Sequence, residues 1–92
     1  MAFHETLLRL VRKGHDFTDR QKCVLFAVKD ESQTVRAMSA HLNISKPAIT
    51  RATNRLVAEG LVVRKDDPAD RRSILVKITK SGSKLLAVME SE

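Results

Sequence analysis

The chain has 92 residues, 42% of them hydrophobic and 30% charged, and its seventeen Lys and Arg outweigh eleven Asp and Glu for a net charge of +6. That length suits one domain spanning 1–92 with a modest core, aliphatic because there are three Phe and no Trp or Tyr. The same facts exclude a membrane span, since no run of about 18 apolar residues exists. They exclude an internal disulfide, since Cys23 is the single cysteine, and a single-strand stacking platform, which needs exposed rings.

The first predicted element is a helix over about 3–13, with Phe3, Leu7, Leu8, Leu10 and Val11 on one side and Arg9, Arg12 and Lys13 among the rest. Glu5 and the smooth passage into Gly14 argue for a packing helix, set against the domain or a second protomer, over a transit peptide. A second helix starts at Thr18, where Thr18-Asp19-Arg20-Gln21 fits a capping box, and runs to near Asp30 with Val24, Leu25 and Val28 inward. Residues 30–33 read as a polar connection.

Thr34 caps a third helix, Val35 to Leu42, whose inward face is Val35, Met38 and Leu42, with small Ser39 at a close helix approach. Asn43 tolerates the left-handed turn that must follow, Ile44 plugs the corner, and Ser45 caps the next helix. Pro47 falls in that helix's first turn, where its missing N–H does no harm, and Gly60 ends it.

This fourth helix, 45–59, is the most informative stretch. Ile49, Ala52 or Thr53 and Leu56 recur at helical spacing on one edge, while Pro47, Thr50, Arg51 and Asn54 share the other. Arginine can donate two hydrogen bonds to guanine, asparagine can pair with adenine, and threonine's methyl suits thymine. Many surface helices also carry a merely solvated polar face, so the flanking sequence must decide. It supplies a strand at 61–65, a polar loop at 66–72 and an alternating strand at 73–79 with Ile74, Val76 and Ile78 on one face. The predicted class is therefore mainly α with a small β-hairpin (α+β), a winged helix-turn-helix in the order α-α-α-α-β-wing-β-α. Charge placement agrees: residues 45–84 hold ten bases and four acids, whereas the other residues hold seven of each.

Thr34 to Leu42, Ser45 to Gly60, Leu61-Val62-Val63-Arg64, and Asp70-Arg71-Arg72 followed by Ile78-Thr79 and Gly82 together resemble the MarR family of bacterial winged-helix regulators, here as a short form. Isoleucine at 78 replaces the leucine of that family's wing signature. The resemblance implies a cytoplasmic homodimeric transcription factor, a repressor by family habit, on a palindromic double-stranded operator. Helix 45–59 would read the major groove and the wing, 64–73, the minor groove. Family members are longer, and their extended terminal helices interlock protomers and roof a ligand pocket. Here the terminal helices, about 3–13 and 80–91, are the candidate dimerisation elements, with Leu85, Leu86 and Met89 contributing. This shortness counts against a small-molecule effector.

The candidate DNA-binding residues are Thr34, Ser45, Lys46, Pro47, Thr50, Arg51, Asn54, Arg55, Arg64, Arg71 and Arg72, with Asp70 supporting the wing. Cys23 reads as a small packing residue beside an apolar stripe, in preference to a redox thiol. His4, His15 and His41 are too scattered for a metal site, and no cofactor motif or nucleophile elbow is present, so no enzyme is expected. Asp66, Asp67 and Asp70 are expected to cap the hairpin and orient its arginines. The competing reading is a non-DNA-binding winged-helix adaptor or antagonist that docks on another regulator or polymerase; an adaptor would tend to lose Arg51, Asn54 and the wing arginines or carry acids in their place.

Overall fold

The computed structural model describes residues 16–91, so the helix expected over 3–13 lies outside the described residues. Within them run α1 (Asp19–Ala27), β1 (Gln33–Thr34), α2 (Val35–Leu42), α3 (Lys46–Ala58), β2 (Val62–Asp67), β3 (Asp70–Ile78) and α4 (Lys80–Ser91). The three strands form one antiparallel sheet in the order β1-β3-β2.

Local chemistry sets each boundary. Thr18 accepts a hydrogen bond from the Gln21 N–H at 3.1 Å, and the Gln21 side chain accepts one from the Thr18 N–H at 3.0 Å, the expected reciprocal cap. Helix α1 stops at Ala27, short of the expected Asp30, although Val24, Leu25 and Val28 are all buried as their spacing required. The segment that follows reaches the sheet: Gln33, read as part of the connection, and Thr34, read as a helix cap, pair with Val76 and Leu75. A two-residue strand carries no periodicity, so this pairing is dictated by the free edge of β3. Thr34 then also caps α2, accepting from the Ala37 N–H at 3.0 Å.

The turn between α2 and α3 follows the residues predicted for it. Asn43 sits left-handed at φ 55°, the Ile44 N–H returns to the Ser39 carbonyl at 3.2 Å, and the Ser39 hydroxyl donates to the Ile44 carbonyl at 2.6 Å. Ser45 caps α3 through the Ala48 N–H at 3.3 Å, with Pro47 in the first turn. At the far end Gly60 has φ 73°; its N–H bonds the Val57 carbonyl, and the Leu61 N–H bonds the Leu56 carbonyl, both at 2.9 Å. That pair of bonds is the Schellman arrangement, and it sets buried Leu56 beside buried Leu61.

The core lies where α1, α2, α3, the sheet root and α4 converge, built from Val24, Leu25, Met38, Ile49, Leu56, Leu61, Val62, Val76, Leu85 and Leu86 among others. Two expectations fail here. Leu85 and Leu86, assigned to a two-fold interface, are 0% and 1% exposed inside the protomer, with Met89 packed beside them. The hairpin is also longer than its hydrophobic pattern suggested, with strands reaching Asp67 and restarting at Asp70 around Pro68-Ala69. A wing is solvated on both faces, so its outer strands have no reason to alternate.

Candidate nucleic-acid interface

Ile49, Ala52, Thr53 and Leu56 bury one edge of α3, and Thr53 satisfies its hydroxyl on the Ile49 carbonyl at 2.8 Å. That fixes the rotation of the helix. Ser45, Lys46, Pro47, Thr50, Arg51 and Asn54 are all left exposed, as the spacing required. Arg55 behaves differently: it is half-buried, its guanidinium 4.6 Å from the centre of the Phe17 ring and 3.8 Å from Glu59.

The wing presents its arginines through a register break. Asp66 pairs with Ile74 and Asp67 with Asp70, so Arg71, Arg72 and Ser73 bulge from β3 without opposite residues on β2. Asp67 accepts from the Ala69 N–H at 2.9 Å, and Asp70 accepts from the Arg72 N–H at 2.9 Å and the Ser73 hydroxyl at 3.3 Å. Asp67 and Asp70 cap the turn, as expected of them, and Asp70 holds the backbone of Arg72, whereas Asp66 sits in the ladder opposite Ile74. Among the described residues neither Arg71 nor Arg72 has an ion pair, and both are exposed.

Folding unites residues far apart in sequence. Thr34 and Arg36 at the start of α2, Lys46 and Thr50 at the start of α3, and Arg72 and Ser73 of the wing line one cleft of about 330 Å³. Arg36 and Ser73 were not among the residues singled out from sequence; Arg36's place in the first turn after the Thr34 cap was the available signal. A second missed feature joins helix to wing: the Arg64 guanidinium donates to Asn54 Oδ1. Cys23 does not pack inward. It is exposed on α1, lining a groove that Arg51 also borders, so the packing role expected of it does not hold. Among the described residues no group of three His, Cys, Asp or Glu is placed to hold a metal, and no helix is long and apolar enough to cross a membrane.

A helix-turn-helix with an exposed polar edge, flanked by a basic hairpin, defines a winged helix-turn-helix protein. A family model described as the MarR family matches residues 15–73. The chain is 32% identical over 76 residues to the transcriptional regulator AdcR of Streptococcus pneumoniae, covering 83% of this chain and 52% of that protein. Among solved structures it superposes on the transcriptional regulator BldR of Sulfolobus solfataricus with a TM-score of 0.78 and 29% identity, covering 94% of this chain and 63% of BldR. It also superposes on a MepR–DNA complex of S. aureus with a TM-score of 0.78 and 20% identity, covering 98% of this chain and 77% of that one, a likeness of fold. The chain belongs to the MarR family, whose members are transcriptional regulators and not enzymes. It spans about half the length of the curated relatives it matches.

Proposed function

We propose that this chain is a sequence-specific double-stranded DNA-binding repressor that inserts α3 into the major groove and the bulged wing into the adjacent minor groove. The observation that carries this reading is the exposed Pro47-Thr50-Arg51-Asn54 edge, continuous through the Lys46 and Arg72 cleft with a wing whose arginines lack carboxylate partners among the described residues. Thr50, Arg51 and Asn54 supply the hydroxyl, fork and amide that distinguish base edges. Arg71 and Arg72 suit the negative potential of a narrow minor groove. Lys46 and Arg36, with the α2 and α3 N-termini beside them, suit phosphates. Arg55, turned onto Phe17, braces α3 and is left out of the contact set.

The protein acts as a homodimer on an imperfect palindrome, with half-sites about one helical turn apart. Since Leu85 and Leu86 are committed to the core, the two-fold contact draws on other surfaces. Selection from a randomised duplex pool, with sedimentation of the bound species, tests the reading. Enrichment of a two-fold symmetric motif by a protein dimer is expected. Enrichment of no sequence would favour the adaptor alternative.

A further inference from the structure

Arg64 stands on β2 opposite Val76, on the same sheet face as buried Val62, which turns it toward α3. There its guanidinium donates to Asn54 Oδ1, ten residues earlier on the reading edge. A guanidinium has donors and no acceptor, so it can only meet the oxygen end of the amide. An isolated asparagine amide can turn over and exchange its donor and acceptor ends. Against Arg64 it cannot do so without facing N–H to N–H. The Nδ2 hydrogens and the second lone pair of Oδ1 are left for a base. Neither partner is diverted elsewhere: among the described residues, Arg64 makes no ion pair with Asp66 or any other carboxylate.

We propose that Arg64 is a positioning residue for base recognition, fixing which end of the Asn54 amide faces which atom of the base edge. The inference rests on the proposed insertion of α3 into the major groove. Its consequence is that a wing-root arginine controls a letter of the operator that it does not itself touch. A plain phosphate contact at the same position would affect affinity alone.

Selection from randomised duplex, run in parallel on wild type, Arg64→Ala, Arg64→Lys, Asn54→Ala and the double Ala variant, tests this. Lys65→Ala serves as the charge-matched control, because Lys65 lies on the opposite face of β2 and pairs with Leu75. Asn54→Ala should flatten a preference of about tenfold or more at one base pair per half-site. Arg64→Ala should flatten that same base pair, and the double variant should flatten it no further. Arg64→Lys, which keeps a donor without the planar fork, should recover part of the preference. Lys65→Ala should leave every letter in place.

An Arg64→Ala motif with the Asn54 letter intact, and affinity lowered alike for all sequences, would overturn the positioning role and leave the DNA reading standing. Wild-type protein that enriches nothing would overturn the DNA reading, and this inference with it.

Discussion

Replacing Gly82 with alanine pushes a methyl group into the backbone of its neighbour. A Cβ built at that position collides with the Leu61 carbonyl oxygen and lies 2.7 Å from the Ile78 side chain. The oxygen cannot step aside, because it already accepts the Thr79 N–H at 3.0 Å. Thr79 in turn ties the junction together, donating from its hydroxyl to the Gly60 carbonyl at 2.7 Å and accepting the Gly82 N–H at 3.1 Å. Overpacking of this kind costs about 1–3 kcal/mol or more, and alanine returns only up to about 1 kcal/mol of helix propensity. Because the colliding atom is backbone, the cost falls at the upper end of that range, and the net loss is about 2 kcal/mol. For a domain of this size that lowers the melting temperature by about 8–16 °C. Gly60→Ala is the companion variant, with open space around the new Cβ and only the φ of 73° against it, a cost of about 1–2 kcal/mol. Thermal unfolding followed by circular dichroism should rank Gly82→Ala as the larger or equal loss, although Gly82 is the helical glycine and Gly60 the turn glycine. A Gly82→Ala protein that melts at or above wild type would refute the close approach of α4 to the wing root.

Arg51→Ala should cost about 1–3 kcal/mol on the selected operator and relax particular letters, measured by competition binding against single-letter variants. Arg72→Ala should weaken binding across all sequences and blunt any preference for A·T-rich flanks, leaving the central letters intact in a repeated selection. Phe17→Ala should destabilise by about 3–5 kcal/mol in chemical denaturation, because Phe17 is 5% exposed and supports Arg55 against α3. The exposed Lys29–Glu90 pair, 2.5 Å apart, joins the turn after α1 to α4, and hydrogen bonding and charge from Glu90 raise the Lys29 pKa above 10.5. Its contribution is present at neutral pH and is lost as pH climbs through the raised value. Glu90→Gln should accordingly lower the melting temperature slightly at neutral pH, with the difference from wild type vanishing as pH climbs through the raised Lys29 value, and the effect should be smaller at high salt.

What the sequence made legible was whatever is encoded locally. Thr18, Thr34 and Ser45 each cap a helix, and Asn43 and Gly60 each take a positive φ, because those residue types stabilise those conformations wherever they stand. The inward edge of α3 was equally readable from 3.6-residue spacing, and its outward edge followed by subtraction. Contacts set by distant partners were not readable. Gln33–Thr34 becomes a strand only because β3 offers an edge, and Leu85 and Leu86 look like interface until α4 is folded onto the core. Charged strands of the wing resemble a loop because solvated strands need no hydrophobic rhythm. The Arg64–Asn54 bond and the placing of Arg36 beside Lys46 and Arg72 are tertiary, as is the outward turn of Cys23.

Fluorescence anisotropy, comparing a duplex bearing the selected palindrome with a scrambled duplex of the same composition from 50 to 200 mM salt, tests duplex reading most directly. The selected duplex should bind about a thousandfold or more tighter than the scrambled one. With about six phosphate contacts per dimer, affinity should fall about a thousandfold across that salt range. Equal affinity for the two duplexes, or affinity indifferent to salt, would contradict the assignment of α3 and the wing to DNA.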